Sequence, residues 1–186
     1  MKKTAVVFPG VGYTKDRPLL YYSGKLAAGC GYELKSVDFS GIDWSKEKLK
    51  DRDFLARTLE RCLDITQRAL SGIDGLSGGS TVFISKSIGT VVATAFAKAE
   101  NINAKQLCFS PLEMIEDHVN AGGAILFCGD ADPYADYSAL ERIANEKDLE
   151  MHRIAGGNHS LETGDIFTDI DNMRIMMKKV YETISV

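Results

Sequence analysis

Thr81-Val82-Phe83-Ile84-Ser85-Lys86-Ser87-Ile88-Gly89-Thr90-Val91-Val92-Ala93 runs from an apolar stretch through a turn of small residues into a helical stretch. The first part is rich in Val, Ile and Phe with little alternation, as expected of a parallel strand covered on both faces. The turn then puts Ser87 where strand meets helix. A serine there projects its hydroxyl above the sheet edge, and the N-terminus of the following helix offers free N–H groups to a developing negative charge. The pattern is G-x-S-x-G with Ser85 in the first glycine's place, a residue still small enough for a crowded turn. Ser and Gly are also ordinary between a strand and a helix, and Ser87 could serve only as an N-cap. Its neighbours along the chain decide between these readings.

Five further apolar runs read as strands: Ala5 to Phe8, Leu34 to Phe39, Gln106 to Phe109, Ala124 to Cys128 and Leu149 to Ile154. Helical spacing appears between them. Leu55, Leu59, Cys62, Leu63, Ile65 and Ala69 share one stripe, Tyr137, Leu140, Ile143 and Ala144 a shorter one, and Ile170, Met173, Met177, Val180, Tyr181 and Ile184 a third. Strands alternating with helices predict an α/β fold: a three-layer α/β/α sandwich around a mostly parallel sheet of six strands. Gly72, Gly75, Gly78 and Gly79 feed directly into a strand, so they are expected to form a loop within one domain spanning 1–186.

Two more of these strands end in residues that carry chemistry. Ala124 to Cys128 is followed by Gly129-Asp130-Ala131-Asp132-Pro133-Tyr134, and Leu149 to Ile154 by Ala155-Gly156-Gly157-Asn158-His159-Ser160. Loops after parallel strands share one rim, where ligands of open sheets bind. Singly, an Asp-Pro turn and a loop histidine are unremarkable. Together with Ser87 they stand in the chain order Ser, Asp, His.

In that order Ser85-Lys86-Ser87-Ile88-Gly89, Gly129-Asp130-Ala131-Asp132-Pro133 and Gly157-Asn158-His159-Ser160 resemble the nucleophile elbow, acid loop and histidine loop of the α/β-hydrolase superfamily. The resemblance implies a serine hydrolase with Ser87, Asp132 and His159 as its triad, cleaving a small carboxylic ester or thioester through an acyl-enzyme. Phe8-Pro9-Gly10-Val11-Gly12-Tyr13 resembles the loop after the family's third strand, with Pro9 where a histidine usually stands. It implies an oxyanion hole made by the N–H groups of Val11 and Ile88. Gly10, Gly12, Tyr13, Asp16 and Tyr134 are then expected to line the substrate crevice. On this reading the chain begins at the family's third strand, its first strand lies between its second and third, and the stretch from Phe109 to Ala124 has little room for a lid.

The whole chain excludes several other classes. Its 186 residues are 45% hydrophobic and 26% charged, an ordinary soluble balance, and 22 basic against 26 acidic residues give no support to a nucleic-acid role. The apolar run Ala5 to Phe8 stops at Pro9-Gly10, too short for a signal peptide, and no run approaches a membrane span, so a cytoplasmic location is expected. Cys30, Cys62, Cys108 and Cys128 are scattered and read as reduced, mostly buried thiols. His118 and His152 lack metal-ligand spacing, and the Met173, Met176 and Met177 group reads as helix core. No metal or cofactor is expected, and the implied partner is a small acyl substrate rather than nucleic acid or membrane.

The competing readings are a non-catalytic protein on the same fold, and a nucleotide- or small-molecule-binding one. Gly10 and Gly12 follow a strand, but the dinucleotide fingerprint needs a glycine at position 15, where Lys15 stands. A Ser–Lys mechanism through Lys86 is conceivable. A lysine adjacent in the elbow, however, is expected to point away from its neighbour's hydroxyl.

Overall fold

The computed structural model describes residues 2–44, 52–73, 76 and 80–185. Six strands, β1 (Lys3–Phe8), β2 (Glu33–Ser36), β3 (Ser80–Lys86), β4 (Ala104–Phe109), β5 (Ala124–Gly129) and β6 (Glu150–Ile154), form one sheet in the order β2-β1-β3-β4-β5-β6. Every neighbouring pair is parallel. The helices are α1 (Pro18–Gly29), α2 (Arg52–Leu70), α3 (Ile88–Ala99), α4 (Tyr137–Glu146) and α5 (Ile166–Ile184). Since β1 lies between β2 and β3, strand order reverses there, and the C-terminal ends of β1 and β3 flank the point where open parallel sheets bind their ligands.

Burial on both faces explains why the inner strands β1, β3 and β5 read as apolar runs, whereas the edge strands β2 and β6 are largely exposed. On one face Ala5, Val7, Val82 and Ile84 pack with Leu19 and Leu20 of α1 and with Met176, Val180 and Ile184 of α5. On the other, Val6, Phe8 and Phe83 meet Cys62 of α2 and Val92 and Phe96 of α3. Farther along that second face, Leu126 and Cys128 meet Val91 of α3 and Leu140 and Ile143 of α4. Each fully buried Leu, Val or Phe contributes about 1.5–3 kcal/mol by leaving water. The two-residue period of β3 therefore sends Val82, Ile84 and Lys86 toward α1 and α5, and Phe83 and Ser85 toward α2 and α3.

Two elements depart from the sequence expectation. The second strand ends at Ser36 rather than Phe39. Val37 N–H still donates to the Val7 carbonyl at 3.0 Å, but the chain then turns inward and buries Val37 and Phe39 beside Val6 and Phe8. Helix α1 was not anticipated at all. It opens with Pro18 in its first turn, where a missing N–H does no harm, and its buried stripe is Leu19, Leu20, Ser23, Gly24 and Ala27. Three of those five are Ser, Gly or Ala, so the stripe carries almost no hydrophobic period. The small residues let the helix sit close to the sheet: a Cβ on Gly24 would stand 3.2 Å from Leu34 Cδ2.

The methionines are core as expected, Met176 being buried with Met173 and Met177 packed against it. Of the Gly-rich connection before β3, Gly75, Gly78 and Gly79 lie outside the described residues. Between β4 and β5 the chain forms only a short 3-10 turn, Glu113–Asp117. Among the described residues no helix is long and apolar enough to cross a membrane.

Candidate active site

The turn from β3 to α3 is strained and held. Ser87 has φ 55° and ψ −126°, a conformation that costs a non-glycine residue about 1–3 kcal/mol and persists only where its surroundings impose it. They do so from both sides. The Ser87 N–H donates to Phe109 O of β4 at 3.0 Å, while its carbonyl accepts from Thr90 N–H at 2.8 Å and from Thr90 Oγ1 at 2.7 Å. Gly89 has to be glycine because a Cβ there would lie 2.5 Å from the backbone oxygens of Phe8 and Pro9. Although Ser87 occupies the N-cap position of α3, its side chain makes no capping hydrogen bond. Its hydroxyl faces elsewhere.

That partner is His159, whose Nε2 lies 2.8 Å from Ser87 Oγ and whose Nδ1 lies 2.7 Å from Asp132 Oδ2. The carboxylate fixes the tautomer: Nδ1 carries the proton, which leaves Nε2 to accept from the serine. Asp132 is nearly sealed, its side chain 3% exposed, and its other oxygen accepts from Tyr134 N–H at 2.9 Å. Asp130 is turned away and committed to Arg153, with Gly156 N–H donating to its Oδ1 at 2.6 Å. Hydrogen bonds from Arg153 and Gly156 hold its carboxyl below the usual range.

The loop carrying His159 is organised by its own residues. Asn158 Oδ1 accepts from Ser160 N–H at 2.7 Å, Asn158 N–H donates to Glu162 O at 2.9 Å, and Leu161 plugs into the core beneath α1 and α5. Acid loop and histidine loop are pressed together at Gly129, where a Cβ would meet Gly157 O at 2.1 Å. Hence three residues separated by up to 72 positions meet at one rim.

The β1 loop closes the other side. Gly10 and Tyr13 form an antiparallel bridge, with Gly10 N–H donating to Tyr13 O at 3.0 Å, so Val11 and Gly12 sit at the tip of a tight turn. Gly10 lies directly against the elbow, a Cβ on it being 3.1 Å from that of Ser87. Ile88 is the first residue of α3, where helix geometry supplies its N–H with no acceptor. Of the expected crevice residues, Tyr134 is exposed and its ring stands edge-on to the His159 imidazole, 5.0 Å between centroids. Tyr13 is turned inward, its hydroxyl accepting from Leu19 N–H at 3.1 Å. Asp16 is exposed and lines a groove between α1 and β2 with Leu20, Gly24 and Leu34.

Ser85 and Lys86 show what the elbow's other side chains do. Ser85 Oγ donates to Leu107 O at 3.2 Å, inside the sheet. Lys86 is fully buried, and its ammonium donates to the carbonyl oxygen of His159 at 2.5 Å. Ser110 Oγ donates to the same oxygen at 3.0 Å. Sequence reasoning passed over Ser110, although a small polar residue just past the end of a parallel strand is the signal that located the other three. Among the described residues no cluster of His, Cys, Asp or Glu could hold a metal ion, and all four cysteines are free thiols. His152 stacks on Phe127 and pairs with Glu150.

This sheet order, the strained serine at the end of β3 and the acid and histidine loops on the same rim define the α/β-hydrolase fold. Comparison with solved structures bears this out. The chain is similar to a protein from Xanthomonas campestris pv. campestris assigned to the α/β-hydrolase superfamily, with 13% identity over 99% of this chain and 98% of that one and a TM-score of 0.71. It is similar to an α/β serine hydrolase without a lid from Xanthomonas campestris, with 14% identity, 99% and 83% coverage and a TM-score of 0.63. It is also similar to Est1E from Butyrivibrio proteoclasticus in its ferulic acid complex, with 15% identity, 99% and 88% coverage and a TM-score of 0.69. No family model matches the sequence, and no curated protein matches it.

Proposed function

We propose that this protein is a serine hydrolase that cleaves small carboxylic esters or thioesters through an acyl-enzyme on Ser87. The observation that carries the reading is the unbroken chain from Ser87 Oγ through the His159 ring to Asp132, with the serine held at φ 55° instead of capping its helix. A serine serving only as an N-cap would have no need of that strain.

In the mechanism, Ser87 Oγ attacks the carbonyl carbon as its proton passes to His159 Nε2. Asp132 stabilises the imidazolium so formed. The carbonyl electrons move onto oxygen, and the N–H groups of Val11 and Ile88 hold that oxyanion, each such donor being worth on the order of 10²–10³ in rate. As the tetrahedral adduct collapses, the bond to the leaving oxygen or sulfur breaks and His159 delivers its proton there. Water then attacks the acyl-serine with His159 again as base, releasing the carboxylic acid and restoring the Ser87 hydroxyl.

The choice of small substrates follows from the short β4–β5 connection. Only the Glu113–Asp117 turn stands where larger relatives of this architecture could carry a lid, so the crevice has few apolar walls to enclose a long acyl chain. Each methylene contributes only about 0.8 kcal/mol, and only when fully removed from water. We therefore expect kcat/KM for acetyl and butyryl esters to equal or exceed that for octanoyl and palmitoyl esters, measured below their micellar concentrations. A steep rise toward palmitoyl would reveal an enclosed apolar tunnel and overturn the small-substrate assignment.

A further inference from the structure

Lys86 is the residue least expected where it stands. Its side chain is 0% exposed, among the largest fully buried side chains of the protein, and lysine is almost never sealed unless something holds its charge. The ammonium donates to His159 O at 2.5 Å and lies over the Tyr13 ring, 5.2 Å from its centroid. Its neighbour Ser87 faces the ring of the same histidine at 2.8 Å. Two consecutive residues of the elbow thus grip His159 at both ends, one at the imidazole and the other at the backbone. Satisfying the carbonyl does not require the lysine, since Ser110 Oγ already donates to that oxygen.

We propose that Lys86 is a positioning residue of the active site, whose buried terminal amine, charged or neutral, donates to the His159 backbone and so holds the imidazole in line between Asp132 and Ser87, at a cost in stability to the fold while it is charged. The inference rests on the serine hydrolase reading for its effect on rate. The clasp itself is a statement about the His159 loop.

The cost has a direction and a pH window. Burial lowers the Lys86 ammonium from 10.5 to about 7, an effect that the negative charge of Asp132 opposes. The groups facing it are Asp132 from the β5–α4 loop, His159 from the β6–α5 loop and Tyr13 from the β1–α1 loop. Tyr13 itself feels Glu162 and Arg17, and burial raises its hydroxyl above the ordinary value of 10.0. Between about 7 and 10.5 the unfolded chain holds the Lys86 proton more tightly than the native one does. Stability drawn from this residue is therefore lowest below pH 7 and rises with pH across that window. A lysine retained only for structure would show the opposite economy, since its removal would weaken the fold.

The test compares wild type with Lys86→Met, Lys86→Arg and Ser110→Ala on three readings: the second-order rate of labelling by a fluorophosphonate, kcat and KM for a short ester, and Tm from pH 7 to pH 10. Lys86→Met is expected to lower labelling and kcat about 10- to 100-fold, the scale of loss when a partner that orients a metal-ligating histidine is removed, with KM within about twofold. Its Tm at pH 7 should equal or exceed that of wild type, and the rise in wild-type Tm relative to the variant between pH 7 and pH 10 should be evident. Lys86→Arg, which keeps charge and donor, should recover part of the rate, and Ser110→Ala should lose less than Lys86→Met. Labelling within twofold of wild type in Lys86→Met, a loss of rate that follows a loss of Tm, or failure of that variant to fold would each overturn the proposal. The His159 Nδ1 proton, observed by NMR, separates this from the catalytic reading. If wild type is inert to the probe but its Nδ1 proton signal is lost in Lys86→Met, the hydrolase reading fails and the clasp stands. An Nδ1 proton equally protected in both proteins sinks the clasp.

Discussion

Ser87→Ala abolishes fluorophosphonate labelling and lowers ester hydrolysis on the order of 10⁴- to 10⁶-fold, the scale on which removing a triad nucleophile acts. The expectation rests on how differently the elbow's side chains are employed. Ser87 Oγ is the one aimed at His159 Nε2, at 2.8 Å, and it stands in a strained backbone that two hydrogen bonds from Thr90 and one to Phe109 maintain. Ser85, two positions earlier, spends its hydroxyl on Leu107 O within the sheet and is fully buried. Ser85→Ala should accordingly keep most of the labelling, losing only what a disturbed β3–β4 contact takes away. Labelling of Ser87→Ala at a rate near wild type would move the nucleophile elsewhere.

Asp132→Asn is expected to lower kcat by about 10⁴-fold, because an amide in place of the carboxylate can donate to Nδ1 and so favours the wrong imidazole tautomer. Asp130→Asn should cost less than tenfold in kcat and act instead on stability, by weakening the link to Arg153 and the bond from Gly156 N–H. The contrast is steep for two acids two residues apart in one loop. Asp132 is sealed against His159, whereas Asp130 faces Arg153 at the margin of β6. Equal losses at the two positions, with both variants folded, would mean that the orientation of His159 does not depend on its bond to Asp132.

The middle of the sheet was legible because it is covered on both sides. Phe83 and Ile84 point to opposite layers yet are both fully buried, so Val82 to Ile84 of β3 reads as an apolar run, and so do Leu107 to Phe109 of β4 and Leu126 to Cys128 of β5. Helix α1 was not legible, since a stripe of Leu19, Leu20, Ser23, Gly24 and Ala27 signals packing by closeness rather than by hydrophobic period. The end of β2 was misjudged because Val37 and Phe39 are as buried as strand residues although the chain has left the ladder. Ser87, Asp132 and His159 could be picked out by their shared place, each just past its own strand, and of the two acids it is Asp132 that lies 2.7 Å from His159 Nδ1. What the sequence could not supply was the destination of Lys86. The sequence only led one to expect a lysine pointing away from its neighbour's hydroxyl, and it is the approach of the histidine loop, pressed on Gly129, that provides the carbonyl at which it ends.

The central claim is that an acyl group is carried on Ser87, and the most direct measurement is to trap it. A short activated ester such as p-nitrophenyl acetate is mixed with the protein, quenched in acid during the first turnover, digested with pepsin and examined by mass spectrometry. The account predicts an acetyl adduct on the peptide containing Ser87, formed in step with a burst of p-nitrophenol and absent from Ser87→Ala. Release of p-nitrophenol with no adduct on that peptide, or an adduct on Lys86 or another side chain that persists in Ser87→Ala, would contradict it.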